Sequence, residues 1–303
     1  MIDLHTHTTA SDGSLPPAEL VNRAASVGIR TLAVTDHDTL AGIPEAAGAA
    51  RARGLAFVAG IEITAVHEHR DVHMLGYFLR RDPPGVGPFL ETARRDRARR
   101  ARAMSDKLAA LGAPVDIEDL IQEAEESGRA VARPTVARAL VDAGHVRSMQ
   151  EAFDRYLADG GSAYVARTGA SPAEVVALVR AGGGICSLAH PGLLRKDHLI
   201  PGLVDAGLDA IEAFHSEHGA ADRARYRRLA ERNGLAISGG SDFHGEGHHR
   251  ADRFGRVGLP EAHFGALRCR LERAHAAVHG ETGPMEFRLP AAEAGMAPAG
   301  PAT

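Results

Sequence analysis

The chain opens with two histidines one residue apart, in the stretch IDLHTHTTASD. Side chains alternate faces along an extended strand, so His5 and His7 point the same way. Asp12 follows five residues later. Two imidazoles and a carboxylate at one strand end are half of a metal site. The remaining half is spread along the chain: His37 in TDHD, Glu62 in GIEIT, His73 in VHMLGY, His190 in LAHPG, and Asp242 and His244 in GGSDFHG. Asp242 and His244 repeat the spacing of His5 and His7. At about four to six ligands per ion, with some positions open, nine donors suit two or three divalent ions rather than one. No thiolate takes part, so mixed nitrogen and oxygen ligation fits Mn²⁺, Zn²⁺ or Fe²⁺. A carboxylate such as Glu62 can bridge two ions, whereas a neutral imidazole does not.

The elements that must position these residues are legible as short apolar runs. They include TLAVTDHD, LAFVAGIEITAV, DVHMLGYFL, GGICSLAHP, LDAIEAFH and LAISGGSDFH. Most alternate with helical stretches, and strand–helix alternation implies a parallel sheet covered by helices. All nine donors except His73 and Asp12 fall at or near the C-terminal end of an apparent strand, where α/β folds assemble their sites. In SLPPAEL, Ser14 is expected to cap a helix that starts on the prolines. Residues 84–159 read almost wholly as helix and loop, which predicts a helical insertion. The barrel domain would then comprise 1–83 and 160–283, with 284–303 an Ala/Pro/Gly-rich disordered tail.

Composition narrows the classes further. A chain of 303 residues with 44% hydrophobic content can bury a large core. A net charge of −4 imposes no basic field that would demand nucleic acid. Two cysteines without a CxxC spacing exclude a zinc ribbon or a redox pair. No apolar run is long enough to span a membrane, and the start lacks a basic and then apolar leader. A cytoplasmic location is the expectation.

Six motifs in order, DLHTHTTASDGS, TDHD, GIEI, VHMLGYF, AHPG and GGSDFHG, resemble the PHP (polymerase and histidinol phosphatase) family of metal-dependent phosphoesterases. The resemblance implies an α/β fold, a distorted (β/α)7 barrel with a trinuclear site on its C-terminal rim. It places His5, His7, Glu62 and Asp242 on a first metal, Asp12, His37 and His244 on a second, and Glu62, His73 and His190 on a third. Mn²⁺ is the leading candidate. The insertion, with VARPTVARAL, is similar to that of the nucleoside 3′,5′-bisphosphate phosphatases and 5′-to-3′ exoribonucleases. Arg133 matches the expected phosphate-binding arginine, whereas Thr135 stands where relatives tend to carry histidine. IEAFHSEH matches a segment that approaches substrate, offering His215 and His218.

The implied substrates are nucleotide bisphosphates or short single-stranded RNA or DNA, with no membrane or protein partner. Glu62 and Asp242 would act through the metals, and His215 is a candidate proton donor to the leaving group. A histidinol-phosphate-type phosphatase is the first alternative. A metal-bound module that binds nucleic acid or a polymerase without catalysis is the second. The arginine run from Arg94 to Arg102 lacks interleaved aromatics for stacking bases and reads as a solvated helix face.

Overall fold

The computed structural model describes residues 1–68, 70–283 and 285–287. Seven strands form one sheet in chain order. They are β1 (Ile2–Asp3), β2 (Thr31–Val34), β3 (Ala56–His67), β4 (Arg70–Phe78), β5 (Ile185–Leu188), β6 (Ala210–Phe214) and β7 (Ala236–Gly239). Neighbours are parallel except β4, which runs against both β3 and β5. The sheet closes on itself beyond β1 and β7. Leu4 N–H donates to the Gly239 carbonyl at 3.2 Å, Asp242 N–H to His5 at 2.8 Å, and His7 N–H to Phe243 at 2.9 Å. The two extended segments approach so closely that a Cβ on Gly240 would sit 2.4 Å from the His5 nitrogen. The result is the expected distorted seven-stranded barrel.

Helices cover the outside. Leu20, Val21 and Ala24 of α1 (Pro17–Ser26) and Ile43, Ala46 and Ala50 of α2 (Ile43–Arg53) pack on Leu32 and Val34. Ser14 is not the cap of α1. The N-cap is Pro16 and no side chain caps it, because the proline pair itself sets the helical start two residues later. Ser14 instead donates its N–H to the His244 carbonyl at 2.7 Å, fastening two loops of the rim together.

Between β4 and β5 run α3 (Val86–Ala110), α4 (Glu118–Ser127), α5 (Arg133–Asp142), α6 (Met149–Ala152) and α7 (Pro172–Ala181), with a π-helical turn at Phe153–Leu157. Helices α3 to α6 share an apolar cluster of their own, with Met104, Leu108, Ile121, Val136, Leu140 and Leu157. Val175, Val176 and Val179 of α7 return to the barrel against Ile61, Ile63 and Met74.

The solvated reading of α3 needs correction. Arg95, Arg99 and Arg102 do face outward and pair with Glu91, Asp96 and Glu118. Arg97 and Arg100 are buried. Helical periodicity puts them beside Ala101, Met104 and Leu108 on the inner face, where their apolar stems pack and their heads find polar partners.

After β5 come α8 (Pro191–Leu194), α9 (Ile200–Asp205), α10 (Ala220–Arg232) and α11 (Glu261–His279). Most of the tail expected to be disordered, 284–303, lies outside the described residues. Residues 285–287 do not fit that expectation. Phe287 is buried against Phe57, and Glu286 N–H donates to the Leu79 carbonyl at 3.1 Å. No described helix is long and apolar enough to cross a membrane.

Candidate metal centre

The barrel topology carries all nine donors to one rim. Parallel strands deliver their C-terminal ends there, and antiparallel β4 delivers its beginning. His73, one of the two donors not expected at a strand's C-terminal end, pairs in register with Thr64. It therefore shares a face with Glu62. Glu62 is the hub. Its Oε1 lies 3.0 Å from His73 Nδ1 and 2.9 Å from His190 Nε2. Its Oε2 lies 3.1 Å from His37 Nδ1, 3.3 Å from His7 Nε2 and 3.4 Å from His5 Nε2.

Two further carboxylates complete the cluster. Asp242 Oδ1 is 3.4 Å from His5 Nε2, 3.2 Å from His7 Nε2 and 3.5 Å from His244 Nδ1. Asp12 faces His7, His37 and His244 at 3.8, 3.8 and 3.4 Å. Donor atoms of His7, Asp12, His37 and His244 all fall within 4.8 Å of one another. The same holds for His5, His7 and Glu62, for His5, His190 and Asp242, and for His37, Glu62 and His73. The grouping expected for a second ion thus gains His7, and His190 also approaches His5 and Asp242.

The donor set fits divalent cations on its hydrogen-bonding chemistry. His5 Nδ1 donates to Glu212 Oε1 at 3.0 Å, and His244 Nδ1 donates to the Asp242 carbonyl at 2.9 Å. In a neutral ring the other nitrogen is then a lone pair. At both residues that lone pair faces carboxylate oxygens at 3.4 Å. Acceptor facing acceptor is unfavourable unless a proton or a metal cation lies between them, so each of these places attracts positive charge. His5 Nε2, both nitrogens of His7, His37 Nδ1 and His73 Nδ1 are buried without a hydrogen bond. Burial opposes ionisation of Glu62, Asp12 and Asp242, but the surrounding imidazoles outweigh it and hold all three well below the usual carboxylate range. Burial pushes His37 down to about 3. Burial also opposes a charged His244, yet Asp12 and Asp242 carry it up to about 9.

Four supporting features escaped the reading of the sequence. Glu212, buried in β6, holds His5 Nδ1 and accepts the His190 N–H at 2.8 Å. A lone acid on the inner face of an apolar strand was the available signal, as it had been for Glu62. Asp36 accepts from Thr8 N–H, Thr8 Oγ1 and Ser11 Oγ, each at 2.7 Å, and so shapes the loop between His7 and Asp12. Asp38 accepts from Thr64 N–H at 2.8 Å and from Arg97 Nε at 2.6 Å, with Arg167 Nη1 at 3.4 Å. Arg250 donates to Asp242. Asp38, His190 and Asp242 also hold φ values of +50°, +24° and +54°. Such conformations are costly for side-chain-bearing residues and concentrate at functional sites.

The expected substrate contacts divide. Arg133 lines a cavity of about 240 Å³ with His73, His190, Arg70, Lys196 and Leu193, directly beside the cluster. Its Nη1 donates to Asp159 at 2.7 Å. Thr135 accepts the Ala132 N–H at 3.3 Å, so its hydroxyl is spent at the start of α5. His218 is 2% exposed, and its ring is held by the Ala213 carbonyl at 3.0 Å and the Gly192 N–H at 3.1 Å. Both nitrogens are satisfied internally. His215 Nδ1 accepts the Glu217 N–H at 3.1 Å, so its proton sits on Nε2, 3.1 Å from Asp242 Oδ2. In this arrangement His215 orients Asp242.

Residues 3–86 match the PHP domain family. The 3′,5′-nucleoside bisphosphate phosphatase of Chromobacterium violaceum is 35% identical over 81% of this chain and 88% of its own. The 5′-3′ exoribonuclease Rnm of Salmonella typhimurium is 36% identical over 80% and 84%. The phosphoribosyl 1,2-cyclic phosphate 1,2-diphosphodiesterase of Eggerthella lenta is 34% identical over 84% and 95%. A crystal structure from Bifidobacterium adolescentis, assigned as a metal-dependent phosphoesterase, superposes with a TM-score of 0.80 at 32% identity, covering 88% of this chain and 95% of that one. With likeness of this extent in sequence and in three dimensions, around a rim of nine converging donors, the chain belongs to the PHP family of metal-dependent phosphoesterases.

Proposed function

We propose that this protein hydrolyses the 3′-phosphate of nucleoside 3′,5′-bisphosphates and removes 5′-phosphorylated nucleotides from short RNA in the 5′-to-3′ direction. The observation that carries this reading is the cavity that joins Arg133 to His73 and His190 at the edge of the cluster. A guanidinium fork suits a phosphate. Held there, a 5′-phosphate sets the reach to the next phosphorus, which lies over the donor set. His5, His7, Glu62 and Asp242 would hold the first ion, Asp12, His37 and His244 the second, and Glu62, His73 and His190 the third. Mn²⁺ leads on ligand chemistry, with Fe²⁺ and Zn²⁺ behind it. Divalent ions in such a set lower the pKa of water and neutralise phosphoryl charge.

The chain's own residues do the rest. Glu62 presents both oxygens to the cluster, Glu212 fixes the His5 tautomer, and His215 orients Asp242. Arg133 exchanges Asp159 for the substrate's distal phosphate. The relation to the Eggerthella lenta enzyme favours a second reading, a cyclic phosphodiester of a sugar phosphate, because the same donor set can open either ester.

The test is product formation by metal-loaded protein, read as inorganic phosphate from the monoesters and as freed mononucleotide or opened monoester from the diesters. The panel comprises adenosine 3′,5′-bisphosphate, RNA with a 5′-phosphate or a 5′-hydroxyl, a ribose cyclic phosphate and histidinol phosphate. The expected result is strong preference for 5′-phosphorylated RNA, with mononucleotides leaving from that end. Arg133→Ala should lower kcat/KM on the bisphosphate about tenfold to a hundredfold, from a charge-assisted contact of roughly 1.5–3 kcal/mol, and spare monophosphates. Indifference to the 5′ group, or equal losses on both substrate types, contradicts the assignment.

A further inference from the structure

Arg250 sits in the loop after β7, outside the lining of the Arg133 cavity, and a chain of contacts links the two. The Arg133 cavity is walled by His73 and His190. The His190 ring lies 5.2 Å from His215, and His215 reaches Asp242 at 3.1 Å. Arg250 Nη1 donates to Asp242 Oδ2, and its Nε donates to Glu217 Oε1 at 3.2 Å. Its side chain is only 14% exposed. Its Nη2 makes no hydrogen bond among the described residues.

We propose that Arg250 is a second phosphate-gripping residue, one that contacts the phosphoryl group undergoing reaction. This rests on the phosphoesterase reading above. Three physical arguments support it. Asp242 Oδ2 already receives the His215 proton, so Arg250 is not needed to satisfy that oxygen. A guanidinium withdrawn this far from water needs anionic partners. Its partners are Glu217 and a carboxylate of the donor set, and cations on that set would offset the charge of Asp242. Glu217 then pairs Arg250 through Nε, which leaves the Nη edge, already at Asp242, for a further anion. Planar N–H donors in a fork match phosphoryl oxygens. Glu217 holds the fork from the side, so the head is aimed before substrate arrives.

The two arginines are distinguishable because they serve different phosphates. Arg133 matters only when a distal phosphate exists. Arg250 matters for every phosphoester the centre accepts. The experiment measures kcat/KM on adenosine 3′,5′-bisphosphate and adenosine 3′-monophosphate for Arg250→Ala and Arg250→Lys. Metal content by elemental analysis and inorganic phosphate binding to metal-loaded protein by calorimetry complete it. Arg250→Ala should lose about tenfold to a hundredfold on both nucleotides and weaken inorganic phosphate comparably, with metal content unchanged. Arg250→Lys, which keeps the charge without the fork, should recover part of each loss. It also serves as the readout if the alanine variant does not fold.

Wild-type affinity for inorganic phosphate in Arg250→Ala overturns the proposal. So does a loss of metal in parallel with activity, which would make Arg250 a positioning residue for Asp242. A wild-type protein that binds phosphate in an Arg250-dependent way but hydrolyses neither nucleotide would sink the hydrolytic reading and leave the Arg250 site standing.

Discussion

At the scale of single residues, the centre depends on hydrogen bonds behind the donors as much as on the donors. Glu212 hydrogen-bonds the back of His5 and the backbone of His190, and so decides which His5 nitrogen faces the cluster. Partners of this kind change metal affinity by about tenfold to a hundredfold when removed. Glu212→Gln is therefore expected to weaken Mn²⁺ binding by that factor in a calorimetric titration of metal-free protein. Unchanged affinity would show that the ring holds its orientation without the carboxylate. Asp242→Asn acts on a donor itself, so metal and activity should disappear together. Full activity in that variant would remove Asp242 from the centre.

At the scale of elements, Asp38 joins three of them. It follows His37 after β2, accepts the Thr64 N–H of β3, and pairs with Arg97 of α3. Burial alone would raise its pKa, but Arg97 and Arg167 outweigh it and bring it to about 2. The folded-state pKa is depressed, so its contribution is complete above the unfolded value near 3.8 and disappears as pH falls towards 2. The linkage amounts to about 2 kcal/mol in all, roughly half of it gone by pH 3. Asn tolerates the left-handed backbone at this position, so Asp38→Asn isolates the charge. At neutral pH the variant should be less stable by roughly 3–5 kcal/mol, because two buried guanidiniums lose a partner. Between pH 5 and 3 its urea midpoint should fall less than that of the wild type. Parallel pH profiles would place the acid sensitivity elsewhere.

At the scale of the molecule, the donors run from His5 to His244 and meet only when the barrel has closed through the contacts of His5, His7, Asp242 and Phe243. Metal affinity is consequently folding energy. Free Mn²⁺ at about a hundred times its Kd should stabilise the protein by about 2.7 kcal/mol. For a chain of this size that is a rise of roughly 5 °C in Tm over chelator-treated protein. Calorimetric scans of the two forms check this, and coincident melts would mean the rim assembles no ion-binding centre.

The sequence by itself determined the donor types, their order and the strand–helix rhythm that brings strand ends to one rim. Those properties are local: alternation along a strand and clustering at its end follow from a few consecutive residues. Position 73 shows where local reading stops. Its motif named it as a donor, but only the antiparallel course of β4 accounts for its arrival beside Glu62. Arg97 and Arg100 were legible as part of a charged helix, and only its packing among the other insertion helices and against the barrel revealed which face was buried. Ser14, His215 and His218 had suitable chemistry for capping or contacting substrate, and only the fold shows the partners each of them has: the His244 carbonyl for the Ser14 N–H, Asp242 for His215 and the Gly192 N–H for His218. Glu212, Asp36, Asp38 and Arg250 were the least legible, because their roles are set by partners 22 to 207 positions away or by a loop's return over the rim. A side chain's hydrogen-bonding capacity is written in its residue type; which of its atoms remain free for a metal or a phosphate is decided by what the fold places against it.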